Sequence, residues 1–378
     1  MADFLVFNWR DPRSPLAGGA EIRFVELFSR FLKKGHSVTL FCASYPGSSA
    51  HDRWNGFDIY HAGNEYTFQW KARRFYLSRL KEKYFDCVIE MINKIPLYTP
   101  RFVRGPLWVM VDHLFGKIAF LELPWPFAGY AFFSESLIPG IYRKTPFLVY
   151  SEGTRDDLIR RGIAKDAIRL VYNGVDTGTY FPDASVQKSE SPTVLYLGRL
   201  KRYKRVDALL VAFRRVLEQE GGARLVIAGD GNDLPRLKKL SRTLSLEGKV
   251  TFRGYVSEEE KRQLFRSSWV LAVPSSIEGW GMASLEAQAC GIPAVVADSP
   301  GLRETVLDGE SGLIAGGDFP GSLAEKILAV LGDRAFRERL GEGALRFSHR
   351  FSWDRATEEI LACCTGFASQ KEESIRNL

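Results

Sequence analysis

The sequence predicts an α/β protein made of two doubly wound, Rossmann-like domains whose strand ends face each other across a cleft. Three observations predict it. Short apolar runs alternate with helical periods through both halves, which is the pattern of parallel β-α-β units with helices on both faces of a sheet. The alternation breaks once, at the polar, proline-flanked "PDASVQKSESP" of residues 182–192, and then restarts. A chain of 378 residues also suits two domains of roughly 150–200 residues better than one.

In the first half, "FLVFNW" is expected as a strand. "AEIRFVELFSRFLKKG" follows as a helix that buries Ile22, Val25, Phe28 and Leu32 and stops at Gly35. "SVTLFC", "FDCVIE", "LWVMVD" and "PFLVYS" repeat the strand signal. The first domain is therefore expected over 1–181 and a linker over 182–192. The second domain, 193–350, restarts with "TVLYLG", helix "RVDALLVAFRRVLEQE", "RLVIAG", helix "DLPRLKKLSRTL", "VTFRG", helix "SEEEKRQLFRSS" and "VLAVPS". Residues 351–378 are expected as a helix packing back on the first domain, then a polar tail. In "SWDRATEEILACC" Ser352 stands at the N-cap, with acidic residues early, as the helix dipole prefers.

Composition narrows the function. Hydrophobic content of 45% and charged content of 26% are those of a soluble globular protein. The net charge of +7 favours anionic partners, meaning phosphates, nucleic acid or an anionic membrane surface. Five cysteines (Cys42, Cys87, Cys290, Cys363, Cys364) form no C-x-x-C pair, which argues against a zinc site or a disulfide framework. A reducing cytoplasm is the expected compartment. The N-terminus reads as a first strand rather than a signal peptide. The longest apolar stretch, "FLELPWPFAGYAFFSESLIPGIY", carries Glu122, Glu135 and three prolines, so it is a poor membrane span.

Neither a G-x-x-x-x-G-K-[ST] loop nor a strand-linked G-x-G-x-x-G is present, and "AGDGND" reads as a strand-to-helix turn. Anion-binding features of another kind are present. "LAGGAE" sets Gly18 and Gly19 at the start of the first helix, where backbone amides and the helix dipole favour negative charge. "LGRLKRYKRVD" sets Arg199 and Lys204 just beyond a strand, placed to neutralise a diphosphate. "EGWGMAS" then leads into helix "LEAQACG", so amides near Gly281, Met282 and Ala283 are expected to be unpaired. Glu286 and Glu278 are offered as acceptors for sugar hydroxyls. The plainer alternative has Glu278 capping the helix and Glu286 in an ion pair. No His/Asp/Cys cluster shows metal-ligand spacing, so no metal and no other cofactor is expected.

"LGRLKRYKRVDALLVAF", "RLVIAGDG", "VTFRGYVSEEEKRQLF" and "EGWGMASLEAQACGIPAVVADSPGLRETVLDGESGLI" together resemble the retaining glycosyltransferases of family four, which have the GT-B fold. "GGAE", "VDH", "SEGTRDDLIRRGI" and "VYNGVD" extend the resemblance through the first half. It implies that Arg199 and Lys204 bind the diphosphate of a nucleotide-sugar donor and stabilise its departure without a metal. Glu278 would contact the donor sugar, Glu286 the nucleotide ribose, amides around Met282 and Ala283 the phosphates, and the backbone near Val256 the base. His113 would stand near the donor sugar and the acceptor. Arg205 departs from the pattern, since a glycine commonly follows the lysine. UDP is the favoured donor nucleotide and GDP the next.

The acceptor is expected to be a glycan or a lipid-linked glycan, and no nucleic-acid partner is expected. Phe120–Lys144 offers either a buried helix with its connections or an apolar face for an anionic membrane, on the cytoplasmic side. A nucleotide-sugar epimerase of the same fold and a non-enzymatic nucleotide-sugar binder are the competing readings. A retaining glycosidase would use two carboxyls about 5–5.5 Å apart and has no need of phosphate-binding cations.

Overall fold

The computed structural model describes the backbone of residues 1–376 and the side chains of residues 1–366. The chain divides into two compact units, one formed by Met1–Gly174 with Trp353–Leu378, the other by Val175–Ser352. The division at Gly174 lies ahead of the expected boundary at 181.

In the first unit the strands are β1 (Asp3–Phe7), β2 (Ser37–Cys42), β3 (His51–Trp54), β4 (Phe57–His61), β5 (Cys87–Ile92), β6 (Leu107–Val111), β7 (Phe147–Val149) and β8 (Ile168–Leu170). They form one sheet in the order β3-β4-β2-β1-β5-β6-β7-β8. Every pairing is parallel except that of β3 with β4. Phe4, Leu5, Val6 and Phe7 of β1 are all buried, as a strand covered on both faces requires. The β3–β4 hairpin was not anticipated. Its Asn55-Gly56 turn, with φ of 49° and 88°, is the strongest short-range hairpin signal a sequence carries.

The helix Gly19–Lys33 forms as expected but turns a different face inward. Phe24, Leu27, Phe28 and Phe31 are buried, whereas Ile22 is exposed and Val25 and Leu32 are half-buried. Both sets have helical spacing. The aromatic set removes more apolar surface from water, and Phe24 and Phe31 find Phe57 and Phe4 as ring partners at 5.0 and 4.9 Å. The same helix buries Arg23, which pairs with Asp112 and lies 3.9 Å from the centre of the Tyr150 ring. The helix that starts at Trp353 belongs to this unit. Arg30 Nε meets Asp354 at 2.7 Å, and Trp353, Ala356, Ile360 and Cys364 are buried. The expected polar tail lies outside the described side chains.

In the second unit β9 (Thr193–Leu197), β10 (Arg224–Ala228), β11 (Val250–Gly254), β12 (Val270–Val273), β13 (Ala294–Ala297) and β14 (Gly312–Ala315) form a parallel sheet. Its order is β11-β10-β9-β12-β13-β14. Helix Val206–Gln219 shows the amphipathic logic plainly, burying Val206, Leu209, Leu210, Phe213 and Val216 at helical spacing. Successive strands run to one side of β9 and then, from β12 onward, to the other. The β9/β12 gap is therefore the topological switch point, where open α/β sheets bind ligands beyond their carboxyl ends.

Residues 182–192 are not a free linker. They lie inside the second unit and are tied to the end of helix Glu258–Ser267. Ser189 N donates to Ser267 O at 2.9 Å, Trp269 Nε1 donates to Ser189 O at 2.9 Å, and Arg266 meets Asp183 at 3.3 Å. Polar composition suggested a linker because it does not reveal which polar groups find protein partners.

Candidate active site

Four loops beyond the carboxyl ends of β9, β10, β12 and β13 build the candidate site in the second unit, and they are seated backbone on backbone. Gly229 has φ +133°, and a Cβ there would stand 1.9 Å from the carbonyl oxygen of Gly198. Leu200 N donates to Asp230 O at 2.9 Å, and Asp233 N to Leu200 O at 3.1 Å. "AGDG" is thus a turn that braces the loop after β9. On the other side, Ser276 N and Oγ both donate to Tyr203 O at 2.9 Å. Gly301, at φ +79°, lets its backbone approach the Glu278 carbonyl, which an added Cβ would meet at 2.0 Å.

This bracing brings Lys204, from the loop after β9, against Glu278, from the loop after β12. Lys204 Nζ donates to Glu278 Oε1 in a short ion pair, with the two side chains only 14% and 16% exposed. The pair sits at the switch point. Burial alone would lower the Lys204 pKa, but the adjacent Glu278 carboxylate and Tyr203 more than offset it, so the ammonium is held above its ordinary value. Sequence reasoning assigned these residues separate ligand contacts and did not foresee that they hold each other. Arg199, two residues past the end of β9 at Leu197, is exposed, and its carbonyl accepts from the buried Tyr196 hydroxyl at 2.9 Å.

Arg205 occupies the left-handed region, φ 53° and ψ 35°, immediately before helix Val206–Gln219. That conformation suits glycine, which explains the residue common at this place in the family. The Arg205 guanidinium turns to Asp207 at 3.5 Å and lies 5.8 Å from the Phe319 ring centre. Among the described residues it makes no ion pair with Glu278.

Glu278 does not cap the following helix. Helix Met282–Ala289 starts after Gly281, at φ +23°, with no side-chain hydrogen bond at its N-terminus. That backbone conformation favours glycine, and a Cβ on Gly281 would also lie 2.7 Å from Leu302 Cδ2. The first amides of a helix have no intrahelical acceptor, and here Gly281 is buried while Met282 and Ala283 are half-buried. Glu286, inside this helix, pairs with Lys261 of helix Glu258–Ser267 at 3.0 Å, both side chains nearly buried. Burial pushes the Glu286 carboxyl above the usual carboxylate range despite the pull of Lys261. Lys261 also meets Glu258 at 3.4 Å, and Tyr180 Oη donates to Glu258 at 2.7 Å. The ion-pair alternative for Glu286 is what the structure holds. Lys261 and Tyr180 were missed, and "SEEEK" gave no hint that its lysine turns inward. Val256 is half-buried just past β11, between the exposed Tyr255 and the Ser257 N-cap.

Gly18, Gly19 and His113 belong to the first unit. Gly18 N donates to Glu21 Oε2 at 2.7 Å, so that amide is already taken by the glutamate of "GGAE". His113 directly follows Asp112, which the buried Arg23 holds from one side while Thr154 Oγ1 donates to its carbonyl at 2.8 Å. The fold also gathers Asp11, Cys42 and His61, whose ligand atoms lie within 4.8 Å of one another, a cluster that the spacing in sequence did not suggest. Asp11 accepts from Arg13 at 2.9 Å and stands 2.9 Å from His61 Nε2, so a guanidinium already neutralises its carboxylate. These groups make a buried ion-pair network poorly suited to a cation.

Two Rossmann-like domains in succession are the architecture of the GT-B class. The family model Glycosyltransferase Family 4 matches residues 17–179, and Glycosyl transferases group 1 matches 181–347. The chain belongs to these GT-B glycosyltransferases.

Among curated relatives, a D-inositol 3-phosphate glycosyltransferase of Xylanimonas cellulosilytica is 34% identical over 224 residues, covering 54% of this chain and 53% of the relative. An uncharacterized glycosyltransferase of Methanocaldococcus jannaschii is 30% identical over 209 residues, covering 52% and 53%. The chain thus spans about half the length of the curated relatives it matches. Among solved structures, sucrose-phosphate synthase from Thermosynechococcus elongatus superposes with a TM-score of 0.84 at 19% identity, covering 98% of this chain and 100% of that one. HepE of Anabaena, in complex with UDP and glucose, gives 0.77 at 16% identity over 97% and 100%. At these identities the likeness concerns the fold.

Proposed function

We propose that the protein is a retaining hexosyltransferase. It moves a sugar from a nucleotide-diphosphate donor, UDP-sugar before GDP-sugar, to a hydroxyl of a glycan or lipid-linked glycan, without a metal. The observation that carries the reading is the Lys204–Glu278 pair beside the uncapped start of helix Met282–Ala289. Breaking the bond from sugar C1 to the diphosphate puts growing negative charge on phosphate and positive charge on the ring. Fixed cations and helix amides aimed at that phosphate stabilise its departure, and preorganised stabilisation of this kind is usually the largest single catalytic effect. Lys204 and Arg199 supply the cations, the amides of Gly281, Met282 and Ala283 the dipoles, and Glu278 the acceptor for sugar hydroxyls. Glu286 holds the ribose and the backbone at Val256 meets the base.

The acceptor hydroxyl enters on the face the phosphate leaves. C1–O(acceptor) forms as C1–O(phosphate) breaks, and the hydroxyl proton passes to the departing phosphate oxygen, so configuration at C1 is kept. Gly18, Gly19 and His113 are the first unit's contribution in this reading. UDP and glucose bound to HepE support a uridine donor for a chain of this fold. The test is product analysis with an isotopically labelled donor and a panel of acceptors. A product with retained anomeric configuration is expected. An altered sugar without transfer indicates the epimerase, and an unchanged donor the binder.

A further inference from the structure

The helix Trp125–Ser136 is built inside out. Its inward side carries Ala128, Ala131, Ser134 and Glu135, and the apolar cluster it joins is Ala119, Ala128 and Ala131. Its large side chains face solvent. Trp125 is 78% exposed, Phe133 60% and Phe127 51%, with Phe132 and the preceding Phe120 and Leu121 exposed as well. A helix whose apolar stripe served the core would turn the aromatics inward. Glu135, which would have charged this surface, is buried and accepts from the amides of Phe115 and Gly116 at 2.7 and 2.8 Å. The plainer expectation of a buried helix is therefore wrong for most of its aromatic side chains.

Helix Phe68–Phe75 extends the same surface. Tyr130 Oη donates to Gln69, the Tyr66 ring lies 5.9 Å from that of Phe127, and Trp70 is 70% exposed. Arg73 and Arg74 follow Trp70 by three and four residues and so share its helix face. Lys71, Arg73 and Arg74 are exposed and have no ion-pair partner among the described residues.

We propose that this face docks on an anionic phospholipid bilayer, its aromatic side chains at the boundary of headgroups and acyl chains, with Lys71, Arg73 and Arg74 on the headgroups. Charge decides for a bilayer over a second copy of the chain. A second copy would bring like-charged clusters together, whereas an anionic leaflet neutralises them. The inference deepens the lipid-linked acceptor reading and rests on it for its purpose. Phe115 packs against the alanine cluster, and its ring lies 5.3 Å from that of His113, so the docking face reaches the residue assigned to the acceptor.

Co-sedimentation with vesicles of phosphatidylcholine alone or mixed with phosphatidylglycerol tests it, with neither donor nor acceptor present. Binding is expected to the mixed vesicles only and to fade with salt. It should weaken about fivefold for each cation removed by Arg73→Ala and Arg74→Ala, and disappear with Trp125→Ser/Phe133→Ser. All variants should melt as the parent does, because the changed side chains are exposed. No binding, equal binding to neutral vesicles, or self-association that the same substitutions abolish would overturn the proposal. Failure of the transferase reading would show separately, as no thermal shift of the parent with UDP or GDP.

Discussion

Replacing Glu278 with Gln should tighten the binding of free UDP or GDP while removing transfer. Both effects follow from the ion pair. In the structure the Lys204 ammonium is already engaged by a carboxylate, and neither side chain is more than 16% exposed. An arriving diphosphate must share that ammonium, and the carboxylate also repels it. Unit charges about 4 Å apart interact by about 4 kcal/mol at an effective dielectric of about 20, and sharing the cation between two anions returns only part of this. Gln still accepts a hydrogen bond, but a charged bond exceeds a neutral one by about 1 kcal/mol. The expected gain is about 1–2 kcal/mol, or roughly 5–30-fold in Kd, for the diphosphate and none for the nucleoside. Transfer should fall at least about 100-fold, since the donor sugar loses its charged acceptor in the transition state. Isothermal titration of UDP, GDP, uridine and guanosine against parent and variant gives the answer. Unchanged or weaker diphosphate affinity in a normally melting variant would refute the reasoning.

Arg199→Ala and Lys204→Ala should each weaken nucleoside diphosphate by about 1.5–3 kcal/mol and free nucleoside much less. Equal losses for both ligands would count against phosphate contacts. Lys204→Ala should also lower the melting temperature, because Glu278 is left in a largely buried place without its cation, and Lys204→Met/Glu278→Gln should recover much of the loss. Transfer should persist in excess EDTA, and a strict requirement for Mg²⁺ or Mn²⁺ would contradict the use of cationic side chains in place of a metal. Lys261→Met should make stability fall as pH rises above the acid range. Glu286 already sits above the usual carboxylate range through burial, and without Lys261 it rises further. A carboxyl raised in the folded chain holds a proton that the unfolded chain has released, so its contribution is full below the unfolded pKa and fades as pH climbs through the folded one. Parallel melting profiles of parent and variant against pH would exclude this.

How much of this was legible in the sequence depended on range. Apolar runs and helical periods carried the elements of the second unit, and strand-end positions marked Lys204 and Glu278 as candidates. Their pairing was not legible, since it arises where β9 and β12 lie side by side in the sheet while the residues stand 74 apart in the chain. The Glu286–Lys261 contact, between two helices, was hidden for the same reason. The helix face at Phe24, Leu27, Phe28 and Phe31 was a choice between two valid periods, and ring packing decided it. Arg23 and Asp112 were not singled out, because burial of a paired charge leaves no mark on composition. The hairpin at Asn55-Gly56 was legible and overlooked.

The glycines at 229 and 301 carry a consequence for how the site responds to change. Where main chain rests on main chain, at Gly229 against Gly198 and at Gly301 against Glu278, no β-carbon fits between the loops to transmit repacking from the core. Substitutions deeper in the second unit should therefore alter its melting without relocating the Glu278 carboxylate, and stiffness at the candidate site should be decoupled from overall stability. Positions 229 and 301 themselves are closed to drift, because any β-carbon meets a carbonyl within 2.0 Å. Variation in what the protein binds is left to surfaces elsewhere, while the loops of the candidate site change little in shape.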